Sequence, residues 1–229
     1  MLKDNADLID GEHAEEEQPE AVYAVFDTET TGLFIFRDKV TGASVPADDP
    51  RQPRMASFAV ILADAEGKEI SREKHFIKPD GWSIDGTKAG EVNGLTDEFL
   101  NENGVPVSDV LDLWEGFIQQ GLIVAAFNAQ FDCKMMRAEL RRAGRDDLFE
   151  QTRNTCVMRG LAPFKDDGLD VKRGMVSLEK ACAHFDIVNE NAHDAMADAE
   201  AALCILQKLI ETDRVIAPKV HYAKEPANA

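Results

Sequence analysis

Two carboxylates, Asp27 and Glu29, stand two positions apart in the stretch Phe26-Asp27-Thr28-Glu29-Thr30-Thr31-Gly32. They follow Ala21 to Phe26 (AVYAVF), a short apolar run rich in strand formers. Alternate residues of a strand share a face, so both acids converge on one spot at its end. Two bare carboxylates in a half-buried place repel each other unless something cationic lies between them. Ligand sets made only of oxygen suit Mg²⁺ or Mn²⁺. For an Asp-x-Glu pair on its own, a strand edge facing water is the plainer alternative.

A second stretch repeats the arrangement. Leu122 to Phe127 (LIVAAF) reads as another buried strand, followed by Asn128-Ala129-Gln130-Phe131-Asp132. Asp132 falls near the start of the next helix, where it is either a capping acid or a third oxygen ligand beside the first pair. A third stretch is His193-Asp194-Ala195-Met196-Ala197-Asp198-Ala199. Five residues turn an α-helix by about 500°, so His193 and Asp198 do not share one helix face. His193 is expected on the loop before the helix, Asp194 as its cap, and Asp198 near the core-facing stripe, where an acid needs a partner.

The elements that must hold these groups follow from periodicity. Met55 to Ala63 and Glu69 to Ile77 read as strands that form an antiparallel meander with the first. Thr87–Asn93 and Asp97–Asn101 read as short helices around the turn Asn93-Gly94-Leu95-Thr96. Val107 to Gln120 carries apolar residues at helical spacing behind Pro106. Asp132 to Ala143 is expected to be helical and to end at Gly144, and Asn154 to Met158 to be a short strand. Ser177 caps a further helix, and Ala195 to Ile210 is a long amphipathic one. Strands first, then helices alternating with strands, indicate an α/β sheet covered by helices. The expected organisation is an acidic disordered tail over residues 1–20, one domain over 21–212 and a C-terminal tail over 213–229. An irregular insertion over 34–54, rich in Pro and charge, interrupts the domain.

The order Asp-x-Glu, Asp, His-x₄-Asp resembles the DEDDh 3′→5′ exonucleases, a family on a ribonuclease H-like fold. FDTETTG is similar to its first motif, FNAQFD to its second and HDAMADA to its third. The resemblance covers roughly residues 21–212, with weaker echoes at Asn93-Gly94-Leu95-Thr96, Asn154-Thr155-Cys156 and Ser177-Leu178. It implies a ribonuclease H-like mixed sheet, an antiparallel meander plus parallel strands, flanked by helices. It further implies that Asp27, Glu29, Asp132 and Asp198 hold two divalent ions, Mg²⁺ or Mn²⁺, and that His193 is the general base. By the same resemblance Thr30 and Thr31 meet the terminal nucleotide, Leu95 wedges against its base and Asn128 orders the strand end. Phe127 stands where the family often has His, which replaces a polar contact by stacking. The implied activity is release of nucleoside 5′-monophosphates from single-stranded or frayed DNA 3′ ends. The alternatives are trimming of RNA ends, or a non-catalytic scaffolding subunit of a polymerase complex.

The formal net charge of −18 argues against a general nucleic-acid binder with a basic face. It fits a protein that meets its polyanion through bound cations. Asp4, Asp7, Asp10, Glu12, Glu15, Glu16, Glu17 and Glu20 crowd the first twenty positions without a Lys or Arg between them, the pattern of a solubilising tail or of a dock for a basic partner. The flanking phosphates call for cations, and Arg37, Lys39, Arg51, Arg54, Arg141, Arg142 and Arg145 are the candidates. Cys133, Cys156, Cys182 and Cys204 form no C-x-x-C pair and read as core residues of a cytoplasmic protein. No stretch is apolar enough to span a membrane.

Overall fold

A computed structural model describes residues 20–220. The acidic run at 1–19 and residues 221–229 lie outside the described residues, and so do the expectations placed on them.

Three strands open the fold: β1 (Tyr23–Thr30), β2 (Met55–Ala63) and β3 (Glu69–Phe76). They pair antiparallel in the expected meander. β1 runs through the acidic stretch rather than stopping at Phe26. Its residues 23–26 are buried, and Phe26 packs edge-on to Trp114 with ring centroids 4.9 Å apart. β2 is buried on both faces, which explains its unbroken apolar run.

The short helices α1 (Lys88–Asn93) and α2 (Asp97–Asn103) follow, capped by the Thr87 and Thr96 side chains. Gly94 ends α1 with φ 71°, a left-handed value that favours glycine. Helix α3 (Val107–Gln119) buries Val110, Leu111, Trp114 and Phe117. The chain then enters β4 (Ile123–Ala126), α4 (Ala129–Arg142) and β5 (Arg153–Cys156). Two helical turns, α5 (Val157–Gly160) and a 3₁₀ segment (Ala162–Lys165), come next, then α6 (Leu178–His184) capped by Ser177. Helix α7 (Ala195–Glu211) packs against β1 and β2.

With a short last strand, β6 (Lys219–Val220), the sheet order is β3-β2-β1-β4-β5-β6, with β1–β4 and β4–β5 parallel. The chain therefore has the mixed, helix-flanked sheet of a ribonuclease H-like fold. β6 pairs antiparallel with β5, so the segment after Glu211 returns to the sheet edge. Asn154 and Thr155 hold that segment through bonds to the carbonyls of Lys219 and Ile216. The stretch read as a strand over Asn154 to Met158 turns helical at Val157. Helix α4 starts at Ala129, three residues before the expected Asp132, because Ala129, Cys133 and Met136 share its buried side.

The 34–54 insertion is an irregular loop with its own scaffold. The Gln52 amide binds both the N–H and the carbonyl of Ile35 and also the carbonyl of Pro46. Glu139, 1% exposed, anchors the end of the loop by accepting from Arg54, Arg142 and the Met55 N–H. Cys133, Cys156 and Cys182 are buried and Cys204 is half-buried. No helix among the described residues is long and apolar enough to cross a membrane.

Candidate active site

Strand β1 carries the first two acids past the point where its neighbour leaves it. The β1–β4 ladder ends at Val25 and Ala125, after which the chain of β4 turns into α4. That divergence strips a ladder partner from the β1 edge, and the Asp132 carboxylate replaces it. Its Oδ1 accepts from the Thr28 backbone N–H at 3.2 Å and from the Thr28 hydroxyl at 2.8 Å. Asp132 is thus a buried acid, 4% exposed, bridging α4 to β1 rather than a cap of its own helix.

From the other side comes α7. Asp194 caps it, accepting from the N–H groups of Met196 and Ala197, and pairs with Lys74 on β3. Asp198, one turn in, brings its carboxylate to Asp27 and Glu29. One ligand oxygen from each of these three lies within 4.8 Å of the others. Asn189 donates to Asp198 Oδ1 at 2.7 Å and the His193 backbone N–H donates to Oδ2 at 3.2 Å. His193 itself is exposed, on the loop before the helix, with φ 70°. The α1 turn closes the rim. Asn93 accepts from the Leu95 N–H and reaches Glu29 Oε2 at 3.5 Å, while half-buried Leu95 leans on Ala56, Ile84 and Leu100.

The electrostatics follow from this crowding. Burial, then Asp132, Asp198 and Glu29, hold the Asp27 carboxyl well above the usual carboxylate range. Burial and Asp198 push Glu29 up to about 8, against a smaller opposing effect of Asn93. Burial raises Asp132 to about 7 even though the Thr28 bonds favour its charged form. Asp198 is raised too, mainly by burial. None of the four forms an ion pair with Lys or Arg among the described residues. Hard oxygen donors that are crowded and uncompensated fit a divalent cation.

The remaining sequence candidates are more varied. Thr30 and Thr31 shape the turn after β1: the Thr30 hydroxyl donates to the Gly32 carbonyl and Thr31 Oγ1 accepts from the Arg54 N–H. Asn128 sits at the start of α4 without a capping bond from its side chain. Phe127 is 8% exposed and belongs to the main core, leaving its ring little free surface. The basic residues nominated for phosphate contact are mostly engaged elsewhere. Arg51 pairs with Asp38 and Asp49, Arg54 and Arg142 with Glu139, Arg141 with Asp147, and Arg145 with Asp112 and Glu115. Arg37 donates to the Gly42 carbonyl within its own loop. Sequence reasoning missed Thr28 and Asn189, which bond Asp132 and Asp198. Thr28 carried a faint signal as a polar residue on the buried phase of a strand; Asn189, in an irregular loop, carried none.

Fold and centre together define a ribonuclease H-like protein with a carboxylate site at its sheet. The chain belongs to the RNase_T exonuclease family, described as "Exonuclease", whose model matches residues 24–206. DNA polymerase III subunit epsilon of Treponema pallidum (strain Nichols) is 25% identical over 203 residues, covering 89% of this chain and 79% of that protein. DNA polymerase III PolC-type of Streptococcus sanguinis (strain SK36) is 28% identical over 204 residues, covering 88% of this chain. The chain spans only 12% of that polymerase's length. Among solved structures, E. coli exonuclease I in complex with a dT13 oligonucleotide is similar in fold, with a TM-score of 0.66 at 20% identity. That match covers 83% of this chain and 41% of exonuclease I.

Proposed function

We propose that this exonuclease-family chain removes nucleotides from the 3′ end of DNA, releasing nucleoside 5′-monophosphates. The observation that carries the proposal is the convergence of Asp27, Glu29 and Asp198 from β1 and α7, with Asp132 tied in beside them through Thr28. Four carboxyls held up by burial, three of them also by others of the four, are unfavourable in a free protein and suited to one that binds divalent cations. Asp27, Glu29, Asp132 and Asp198 would hold two such ions, Mg²⁺ or Mn²⁺. Bound there, the ions supply charge neutralisation at the attacking and leaving oxygens of a phosphodiester displacement.

The chain's own groups do the rest. His193, exposed at the rim and fixed at its backbone by Asp198, takes the proton from the attacking water. The fixed N–H leaves the imidazole free to lean over the acids. Leu95 presents an apolar edge beside Glu29, where a terminal base stacks. Thr30 and Thr31 hold the turn that the terminal sugar and phosphate meet, and Asn128 marks the entry of α4. The similarity to a polymerase III epsilon subunit supports a replication partner, met through a surface outside the acid cluster.

The deciding experiment compares matched single-stranded DNA and RNA oligomers, labelled at the 5′ end, with Mg²⁺ or Mn²⁺. DNA shortening stepwise from its 3′ end, and lost in Asp27→Asn, is the expected result. Faster RNA turnover overturns the DNA assignment. No shortening of either polymer, or undiminished cutting by Asp27→Asn, overturns the enzymatic one.

A further inference from the structure

A cavity of about 600 Å³ is lined by residues that follow β1, β4 and β5, among them Phe34, Asn128 and Met158. It continues into a second of about 580 Å³, the two sharing Phe36, Lys134 and Arg159. No Asp or Glu lines either one. In a chain of net charge −18 that is an exceptional surface. Three cations face the first cavity, Lys134, Arg159 and Arg173, and none of them forms an ion pair among the described residues. Nearly all the arginines first nominated for phosphate contact are, in contrast, already held by acids or by their own loop.

Aromatic rings interleave with these cations. Phe34 and Phe131 meet edge to face at 5.4 Å. The Lys134 ammonium lies 4.3 Å from the centroid of Phe34 and 4.4 Å from that of Phe36. Phe36 is 62% exposed even with the Lys134 ammonium over its ring. The trough is also continuous with the catalytic elements. Phe34 follows the β1 acids by a few residues, through the turn set by Thr30 and Thr31. Asn128, Phe131 and Lys134 sit on the same helix as Asp132. Open sheets of this kind bind ligands in the crevice outside the carboxyl ends of their parallel strands.

We infer that this trough carries the single strand upstream of the scissile phosphate, with Lys134, Arg159 and Arg173 on its phosphates and Phe36 stacked on a base. Alternating cations and aromatic faces suit a single strand, because every base has a stacking face and every linkage a charge. A duplex would demand a wider basic face than the described residues offer. The inference extends the exonuclease reading by assigning the polymer's path, and it rests on that reading for its direction.

The test uses the full chain and two readouts. Fluorescence anisotropy with Ca²⁺ measures binding of oligo(dT) of roughly four and roughly sixteen nucleotides. Hydrolysis of thymidine 5′-monophosphate p-nitrophenyl ester with Mn²⁺ reads the acid centre alone. For a single strand each phosphate contact contributes about 0.7 to the slope of log affinity against log salt. Three lost contacts lower the slope by about 2, so the wild type should lose about 20-fold more affinity than Lys134→Ala/Arg159→Ala/Arg173→Ala between about 50 and 200 mM salt. Phe36→Ala should weaken the long oligomer at least about fivefold. Ester hydrolysis should be unchanged in both variants. An unaltered salt slope in the triple variant, or equal weakening of short and long oligomers, overturns the trough. A wild type that binds the long oligomer but leaves the ester intact overturns the exonuclease reading instead.

Discussion

Removing the negative charge of Glu29 should make the metal-free protein more stable, and only above a definite pH. Glu29 titrates at about 8 in the fold against an ordinary value of 4.5, mainly because it is desolvated and secondly because it faces Asp198. An acid whose pKa is raised on folding leaves stability intact below the unfolded value. It costs stability progressively as pH rises from about 4.5 to about 8, because the unfolded chain releases a proton that the folded one keeps. At 1.36 kcal/mol per unit the full shift corresponds to about 5 kcal/mol. Solvent reaching this open rim roughly halves it, to about 2–3 kcal/mol. Chemical denaturation of wild type and Glu29→Gln, both in EDTA, at intervals from pH 4.5 to 8.5 is the appropriate assay. The two should coincide at the acid end and diverge by about 2–3 kcal/mol near pH 8, with the variant the more stable. Taking the difference cancels the general repulsion of a chain of net charge −18. Millimolar Mg²⁺ or Mn²⁺ should close the gap by stabilising the wild type, about 2.7 kcal/mol at a hundred times its Kd. Parallel curves with no divergence would refute the view that the acids are held against one another.

Glu139→Ala strands the guanidinium groups of Arg54 and Arg142 and the Met55 N–H, and should cost about 3–5 kcal/mol in urea unfolding at pH 7. His193→Ala should reduce kcat about 10²- to 10⁴-fold. The same variant should bind Mn²⁺ nearly as tightly in calorimetric titration, and a large loss of metal affinity would make His193 a ligand. Thr28→Val deletes one of the two bonds to Asp132 and should raise the pH at which turnover becomes half-maximal, since the charged carboxylate loses a donor. A pH profile identical to wild type would count against Asp132 as part of the centre.

The acids of the site were legible because each lies where a strongly patterned element ends. Asp27 and Glu29 close an apolar strand, Asp132 opens the helix after another, and Asp198 sits one turn into an amphipathic helix. Their order along the chain also matches that of a known family. Asp194 as a cap and His193 outside the helix followed from helical rotation alone. What stayed hidden depends on contacts between remote segments. Thr28 matters because β4 turns away at Ala126 and leaves an N–H for Asp132 to bind, which nothing in the FDTET stretch announces. Of the arginines nominated for phosphate, Arg54 and Arg145 are held by carboxylates distant in sequence, Glu139 and Asp112, which no local pattern announces. The two-residue β6 escaped because its strand character comes from the β5 edge it covers.

The acid centre is assembled from β1, α4 and α7, elements that lie far apart along the described chain. During synthesis, therefore, the acid cluster cannot assemble in a fragment that lacks α7, because Asp198 supplies one of its three converging carboxylates. The cluster closes only when the helix that carries Asp198 packs against β1 and β2.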